Sequence, residues 1–296
     1  MKQPADISYL VGVDGGGSST RARITRPDGS VLGEGKAGAS GLMQGIPQAW
    51  QHIQLAIERA AQAMAAADVP PLTPHNCALA IGVAGFNNAQ WRTAFLAANP
   101  GYTQLVVDTD VFTALLGAHQ GQPGALVIAG TGTVAQALHT DGSRATAGGW
   151  GFPSGDEGGG AVLGLRAVNL AQQAIDRRRA PSTLSRAVLQ AVGPSADDLL
   201  AWCCAANQAD FARLAPLVFD SEAHDPAAAQ LLADAVGTLE RLALAVDPGG
   251  RLPLALWGSI GQRLAPRLAP PLQARLVPPQ ADALQGAIQL LSRQFA

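Results

Sequence analysis

A supersecondary pattern occurs twice in the 296-residue chain, and this recurrence constrains the fold more than any single motif. The segment LVGVDGGGSSTRARITRPDGS (10–30) combines an apolar strand, a glycine-rich turn, a strand of alternating polarity and an Asp-Gly-Ser turn. The segment LVIAGTGTVAQALHTDGS (126–143) repeats these four elements in the same order and is three residues shorter. Unrelated β-meanders can share such turns, but four elements in one order favour a duplicated unit.

Apolar strands alternate with amphipathic helical segments along the chain, which is typical of an α/β protein. In the first half, strands are predicted at 9–13, 21–26, 31–36, 77–85 and 104–109, and helices at 47–67, 88–98 and directly after Asp110. In the second half, helices are predicted at 157–178, 181–191, 196–206, 208–219, 226–247 and 282–294, with a strand, a Gly-Ser turn and a helix at 252–268. Two α/β halves that each begin with a meander predict a ligand cleft between them.

Composition argues against several classes of function. The chain is 48% hydrophobic and has a net charge of −2, so no basic surplus indicates binding to nucleic acid or to an anionic membrane. Its three cysteines include no C-x-x-C pair, which argues against a disulfide framework or a zinc site. The N-terminus lacks the apolar run of a signal peptide. No run approaches the ~18 apolar residues of a membrane span. We therefore expect a soluble, cytoplasmic protein.

The glycine-rich turn DGGGSST (14–20) is of a kind that binds phosphate, but two common phosphate loops are excluded. A P-loop needs a lysine after its glycines, and the dinucleotide fingerprint needs a helix there. Here no lysine follows and the next residues alternate like a strand, so a β-hairpin is predicted. Its turn would present backbone N–H groups and a hydroxyl to phosphate oxygens. Asp14 lies beside this turn and could hold Mg²⁺ through water.

A tight hairpin that needs glycine only for its geometry is the alternative interpretation of this turn. The second copy of the pattern has a similar turn, GTGT (130–133), which favours the phosphate interpretation. Two such hairpins facing across a cleft could hold the β- and γ-phosphates of a nucleotide from both sides.

The chain resembles the superfamily of acetate kinases, sugar kinases, heat-shock chaperones and actin. Within it, the chain is similar to the N-acetylglucosamine kinases of the BadF/BadG-type ATPase family, and glucosamine kinases are also similar, particularly over 126–168. The resemblance covers nearly the whole chain and is carried by VGVDGGGSSTRARI, VDTDVFTALLGA, LVIAGTGTVA, GGWGFPSGDEGGGAVLGLRAV, ALWGSIGQRL and ADALQGAIQLL.

This resemblance implies an α/β fold of two ribonuclease-H-like domains with an active-site cleft between them. The first domain would comprise residues 1–117 and the C-terminal helix 283–296, and the second, with the nucleotide site, residues 118–282. The implied activity is that of an ATP-dependent hexosamine kinase, a homodimer that uses Mg²⁺ and phosphorylates the 6-hydroxyl of N-acetylglucosamine. Glucosamine is the nearest other substrate.

Asp110 is the candidate catalytic base. It stands at the end of the predicted strand 104–109, facing the cleft if that strand is parallel and central, and the resemblance places the catalytic aspartate of these kinases there. An aspartate at this position could instead cap the helix that follows. Asp108 is the residue most easily confused with it.

The resemblance also matches residues to the nucleotide. In the two glycine turns the matching positions, together with Asp14, are Gly16, Gly17, Ser18, Gly130, Thr131 and Gly132. In GSIG (258–261), Gly258 and Ser259 follow an apolar strand and would let adenine and ribose lie against the backbone at a helix N-terminus. An ordinary strand-to-helix connection is the alternative there.

The segment GWGFPSGDEGGG (149–160) is the candidate sugar site. Asp156 would accept hydrogen bonds from sugar hydroxyls and Trp150 would form an apolar wall. The resemblance assigns sugar binding to this segment, whose glycines would allow backbone contact. The other predicted sugar-binding residues are Thr133, Val134, Gly149 and Gly151. An acidic helix cap is the alternative interpretation of DEGGG, and it suits Glu157 better than Asp156.

One departure from the family pattern bears on the substrate. Amino-sugar kinases of this family carry a Ser-Asn pair after the third strand, and here Gly41 occupies the asparagine position. The hydrogen bond that the asparagine amide makes to the sugar is either absent here or made by another residue, for example Gln44. A BadF-type ATPase activator, which holds an iron–sulfur cluster with paired cysteines, is a further alternative. The adjacent Cys203 and Cys204 are poorly spaced for that role.

Overall fold

The computed structural model describes residues 7–64 and 70–295. The chain divides into two compact units, one formed by Met1–Pro123 and Pro279–Ala296 and the other by Gly124–Pro278. The domain boundary predicted after residue 117 falls inside a helix, α3 (Asp110–Ala118). The last predicted residues of the helix at 47–67 lie outside the described residues.

The first unit contains a five-stranded sheet in the order β3-β2-β1-β4-β5. Strands β1 to β3 form an antiparallel meander, and β1, β4 and β5 pair in parallel. The elements are β1 (Tyr9–Gly15), β2 (Thr20–Thr25), β3 (Val31–Ala37), α1 (Ile46–Met64), β4 (Cys77–Val83), α2 (Ala89–Ala97), β5 (Gln104–Asp108), α3 and, from the end of the chain, α12 (Ala283–Phe295).

The position of each strand in this sheet follows from its sequence. Strand β4 reads CALAIGV and is buried at every position, as expected for a central strand with parallel neighbours on both sides. Strand β3 reads VLGEGKA and has several exposed positions, which suits its place at the edge. The predicted strands of this unit are therefore confirmed, and they bring Asp14 and Asp108 to the ends of β1 and β5. The strand before Asp110, β5, is parallel as expected, but it lies at the edge of the sheet and not in its centre.

The second unit contains a four-stranded sheet in the order β8-β7-β6-β9. Strands β6 to β8 form an antiparallel meander, and β6 pairs in parallel with β9. The elements are β6 (Gly124–Ala129), β7 (Thr133–Leu138), β8 (Arg144–Gly148), α4 (Gly160–Ile175), α5 (Thr183–Val192), α6 (Ala196–Ala205), α7 (Gln208–Ala212), α8 (Ala215–Ser221), α9 (Pro226–Val246), β9 (Leu254–Trp257), α10 (Ser259–Leu264) and α11 (Pro270–Gln273).

Two predicted helices of the second unit differ from the observed ones. The helix predicted at 208–219 is interrupted between α7 and α8, because Pro216 has no N–H to continue the helical hydrogen-bond pattern and instead lies in the first turn of α8. The helix predicted at 157–178 begins later, at Gly160, since Asp156 (φ +64°) and Gly158 (φ +81°) have left-handed backbone conformations.

Both predicted meanders are confirmed. In each unit, a glycine turn joins the first two strands of the meander, and the first strand pairs in parallel with a later strand of the chain. This is the ribonuclease-H-like arrangement. Within residues 7–64 and 70–295, no helix combines the length and apolarity needed to span a membrane.

Helix α12 closes the first unit by packing directly on α3. Gly286 of α12 allows this approach, because a Cβ atom there would overlap the carbonyl oxygen of Thr113 and lie 2.5 Å from the backbone nitrogen of Gly117. The C-terminal helix is therefore fixed in place against the helix that begins at Asp110.

We expect Gly286→Ala to destabilise the protein by about 1–3 kcal/mol, because the added methyl group overlaps the rigid backbone of α3. Gly237→Ala, in the interior of α9, is the matched control. Its Cβ would meet only the mobile end of Arg241, at 3.3 Å. That change should be stabilising by up to about 1 kcal/mol, since alanine favours helix. Urea unfolding measures both variants, and equal effects of the two substitutions would contradict this packing argument.

Candidate active site

The first glycine turn, residues 16–19, is held by its carbonyl oxygens. The turn is closed by a hydrogen bond of 3.0 Å from Gly16 N–H to the carbonyl oxygen of Ser19. The backbone N–H groups of Ser40 and Gly41 both donate to the carbonyl oxygen of Gly16, each at 3.1 Å. The amide nitrogen of Gln44 donates to the carbonyl oxygen of Gly17 at 2.9 Å. The segment after β3 therefore anchors this turn.

Anchoring the carbonyl oxygens leaves the donors of this turn available. Within the described part of the chain, the backbone N–H groups of Gly17 and Ser18 have no acceptor, and both residues are exposed. Successive free N–H groups in a turn form a binding site for an anion. Gln44, which was considered as a source of the amide missing at Gly41, contacts this turn instead.

Asp14 is paired with an arginine that the sequence analysis did not assign to the site. Arg21 lies opposite Asp14 in the β1–β2 register and donates to its Oδ2 from Nη2 at 2.7 Å and from Nε at 3.2 Å. Arg21 also lies 3.8 Å from Asp282, which binds Arg23 through both carboxylate oxygens at 2.9 Å. The alternation of β2 places Arg21 and Arg23 on one face, but only the fold brings Asp282 to them.

Asp110 is the first residue of helix α3, and Thr109 is the cap of that helix. The hydroxyl of Thr109 accepts a hydrogen bond from the N–H of Phe112, so the capping role considered for Asp110 belongs to its neighbour. The Oδ1 atom of Asp110 accepts from the N–H of Val111 at 2.9 Å. By contrast, Asp108 turns its Oδ1 atom onto the N–H of Thr109 at 2.7 Å.

The environment of Asp110 favours the protonated form of its carboxyl group. Burial of the carboxyl group and, second, the negative charge of Asp14 raise its pKa from the usual 3.8 to about 6, against the opposing hydrogen bond from Val111. A carboxylate with a pKa near neutrality is suited to general base catalysis, since it is ionised at pH 7 and still binds a proton readily.

The second glycine turn, residues 130–132, repeats the arrangement of the first. It is closed by a hydrogen bond of 3.0 Å from Gly130 N–H to the carbonyl oxygen of Gly132. At the start of α4, the N–H of Gly160 donates to the carbonyl oxygen of Gly130 at 2.8 Å, and the N–H of Ala161 donates to that of Thr131 at 3.0 Å. Among the residues that the structure describes, the N–H groups of Thr131 and Gly132 have no acceptor.

Asp156 lies directly against the second glycine turn. It is only 7% exposed, and its Oδ1 is 3.4 Å from the N–H of Thr133. Its Oδ2 accepts a hydrogen bond of 2.9 Å from the side-chain amide of Gln208. A Cβ atom at Gly132 would come within 2.5 Å of this oxygen, so the carboxylate leaves room only for glycine there. Gln208 was missed because only the fold brings α7 to Asp156.

The remaining predicted sugar residues divide into two groups. The N–H of Gly149 donates to the carbonyl oxygen of Thr133 at 2.9 Å, and a Cβ there would contact Val134, so these three residues are neighbours. Trp150 follows on a turn with left-handed backbone at Gly151, and its side chain is 85% exposed. Trp150 therefore presents a flat apolar surface to solvent.

Gly258 lies beside the second glycine turn. Its φ is +85°, and a Cβ atom there would overlap the carbonyl oxygen of Ala129 and lie 2.9 Å from the backbone nitrogen of Gly130. Ser259 is exposed and begins α10. The connection from β9 to α10 thus passes next to the turn with the free donors.

No group of three or more histidine, cysteine, aspartate or glutamate side chains among residues 7–64 and 70–295 is arranged to hold a metal ion. Cys77 is buried and Cys203 partly so, while Cys204 is exposed, and all three thiols are free. Asp14 has one carboxylate oxygen on Arg21 and remains 23% exposed, so its other oxygen suits a magnesium ion that is held mainly by water and phosphate.

These sheets and turns define the ribonuclease-H-like fold of the sugar-kinase, chaperone and actin superfamily. Within this class, the chain belongs to the BadF/BadG/BcrA/BcrD ATPase family, whose sequence profile matches residues 11–252.

Two relatives and one solved structure with high similarity to the chain are named as amino-sugar kinases. The chain is 33% identical to the glucosamine kinase of Vibrio cholerae serotype O1 over 291 residues, 97% of either protein. It is 29% identical over 189 residues to the N-acetylmuramic acid/N-acetylglucosamine kinase of Clostridium acetobutylicum, covering 62% of this chain and 60% of that one. The structure of a candidate N-acetylglucosamine kinase from Chromobacterium violaceum is similar with a TM-score of 0.91 and 46% identity, over 97% of this chain and 99% of that one.

We expect the carboxyl group of Asp110 to titrate near pH 6 and Asp14→Asn to lower that pKa, because removing a nearby negative charge stabilises the carboxylate. Carbon-detected NMR of the aspartate carboxyl groups measures this directly. Asp28→Asn, in an exposed turn of the same unit, is the control and should leave the Asp110 titration unchanged. A wild-type pKa near 4, or no response to Asp14→Asn, would contradict the argument.

Proposed function

We propose that the protein is an ATP-dependent amino-sugar kinase that transfers the γ-phosphoryl group to the 6-hydroxyl of N-acetylglucosamine. The observation that carries the proposal is Asp110, a partly buried carboxylate at the start of α3 whose pKa is raised to about 6. Family membership and the amino-sugar kinases among its relatives support the choice of reaction and substrate class.

In the proposed reaction, the oxygen of the sugar hydroxyl attacks the γ-phosphorus while Asp110 accepts the proton of that hydroxyl. The bond from the γ-phosphorus to the bridging oxygen breaks, and ADP leaves with the electron pair of that bond. Phosphoryl transfer needs little covalent chemistry from the protein, so alignment of the hydroxyl and stabilisation of phosphate charge account for most of the acceleration. Asp110 supplies the proton acceptor that begins the reaction.

The free donors of the glycine turns are proposed to bind phosphate oxygens of ATP. In the first turn these are the N–H groups of Gly17 and Ser18, next to Gly16, and in the second those of Thr131 and Gly132, next to Gly130. Gly258 and Ser259 are proposed to contact the nucleoside, since Gly258 packs directly on the backbone of Ala129 and Gly130 beside the second turn and Ser259 is exposed.

Asp14 is proposed to hold Mg²⁺ through water, using the carboxylate oxygen that Arg21 does not occupy. The bound ion would neutralise phosphate charge as it develops in the reaction.

Asp156 is proposed to accept hydrogen bonds from the sugar, with Thr133, Val134, Gly149 and Gly151 beside it and Trp150 as an apolar surface. Glucosamine is the second candidate substrate. The Vibrio cholerae relative, similar over 97% of both chains, is a glucosamine kinase, and Gly41 lacks the amide that contacts the sugar in the amino-sugar kinases of this family. The two sugars differ by an acetyl group and by the positive charge of a free amine.

A sugar panel tests the proposed function. We expect ADP release to depend on N-acetylglucosamine or glucosamine and to exceed release with glucose or N-acetylmannosamine by at least about tenfold, the effect of ~1.4 kcal/mol of differential binding. Mass spectrometry and NMR of the product locate the phosphate on the 6-oxygen. ATP hydrolysis that is unaffected by every sugar would refute the kinase proposal and favour the activator alternative.

Asp110→Asn should lower kcat by ~10²–10⁴ while leaving sugar affinity nearly unchanged, because the amide keeps the shape of the side chain but cannot accept the proton. Asp108→Asn is the matched control, since it changes the neighbouring carboxylate, which is turned onto the N–H of Thr109. A coupled ADP assay gives kcat, and calorimetry gives sugar affinity. If Asp110→Asn retains activity within tenfold of the wild type, Asp110 is not the base.

A further inference from the structure

The Asp156 carboxylate lies in an environment where it needs hydrogen-bond donors. Its backbone lies in the left-handed region, at φ +64°, which few residues other than glycine adopt. Its side chain is almost fully buried, and burial of a charged group is costly unless hydrogen bonds satisfy it. The contact with the N–H of Thr133 is long, at 3.4 Å, whereas the contact with the amide nitrogen of Gln208 is short, at 2.9 Å. Gln208 therefore provides the main hydrogen bond to this carboxylate.

The backbone of Gln208 is fixed by interactions on both sides. Asn207 and Asp210 form a capping box in which each side chain accepts a hydrogen bond from the backbone of the other, so α7 begins at a defined residue. Phe211, one turn further along, packs on Phe152 with ring centroids 5.3 Å apart. Phe152 belongs to the same loop as Asp156. The packing of Phe211 on Phe152 therefore fixes α7, which contains Gln208, against the loop that contains Asp156.

The pair retains unused hydrogen-bonding capacity. A side-chain amide has two N–H donors and a carbonyl oxygen, and a carboxylate can accept about four hydrogen bonds. Within residues 7–64 and 70–295, one N–H of Gln208 and its carbonyl oxygen have no partner. The hydroxyl groups of a sugar both donate and accept hydrogen bonds, and a protonated amino group donates them. A carboxylate and an amide held side by side match two such neighbouring groups.

We propose that Gln208 is a positioning and specificity-determining residue for the sugar. It holds the carboxylate of Asp156 toward one sugar hydroxyl and binds the neighbouring hydroxyl or amino group with its free amide atoms. The inference rests on the proposed function, in which Asp156 binds the sugar. Nothing in the sequence around residue 208 or in the glycine motifs indicates this role.

A purely structural role for Gln208 makes different predictions. If Gln208 only satisfies a buried carboxylate, its loss lowers the stability of the fold, and sugar and ATP affinities change little or together. If Gln208 positions Asp156, its loss weakens sugar binding selectively. Because it then acts through Asp156, the effects of changing both residues are not additive.

The experiment measures sugar dissociation constants, KM for ATP and Tm for Gln208→Met, Asp156→Asn and the double variant. Gln190→Met, on the exposed side of α5, is the matched control. We expect Gln208→Met to weaken binding of the preferred amino sugar by about ten- to a hundredfold with KM for ATP within twofold of the wild type, since one hydrogen bond to a charged group is lost. The loss of sugar-binding free energy in the double variant should be smaller than the sum of the two single losses, because the part of the Gln208 effect that acts through Asp156 is already lost in Asp156→Asn. If Gln208→Met does not fold, Gln208→Asn, which keeps the polar group but is one methylene shorter, replaces it with the same expectation.

A sugar dissociation constant within twofold of the wild type in Gln208→Met, or strictly additive effects in the double variant, would overturn the proposal. Failure of the proposed function would look different, because the wild-type protein itself would then bind and phosphorylate no amino sugar. Wild-type activity combined with an unaffected Gln208→Met variant would leave the kinase proposal intact and remove Gln208 alone.

Discussion

Both glycine turns depend on hydrogen bonds that another segment donates to their carbonyl oxygens. The segment after β3 donates to Gly16 and Gly17, and the start of α4 donates to Gly130 and Thr131. A short glycine-rich turn would otherwise sample many conformations, since glycine restricts the backbone least. Fixing the carbonyl side of each peptide group also fixes the direction of its N–H groups. The direction of the unpaired N–H groups in the two turns is therefore set by the segments that pack against them.

Strands, meanders and most helices could be predicted from local patterns. A central strand is a run of consecutive apolar residues, and an edge strand alternates between apolar and polar residues, so both can be recognised within a short segment. Pro216 also indicates the break between α7 and α8. The break was not predicted because the apolar residues on both sides of Pro216 follow one continuous helical period. The start of α4 was predicted too early because the left-handed backbone of Asp156 cannot be recognised in a residue that also caps helices.

The glycines and aspartates of the candidate site lie within contiguous motifs and could be proposed from the sequence, whereas the residues that contact them could not. Arg21 belongs to the site through strand register, Asp282 through the return of α12 to the first unit, and Gln208 through the packing of α7. Each of these contacts joins residues that are distant in sequence or hidden in an ordinary element. For Asp110, the alternative interpretation as a helix cap differs from the structure by one residue, since Thr109 is the cap.

The contact between Gly132 and Asp156 couples the second glycine turn to the loop that contains Asp156. This coupling restricts which residues can be introduced at the two positions. The glycine leaves the space that one carboxylate oxygen fills, and the carboxylate in turn excludes any side chain at 132. Position 132 therefore cannot be enlarged by itself in a library that aims at altered specificity. A larger residue at 132 demands a shorter one at 156, so the two positions, 24 residues apart in numbering, would have to mutate as a single unit.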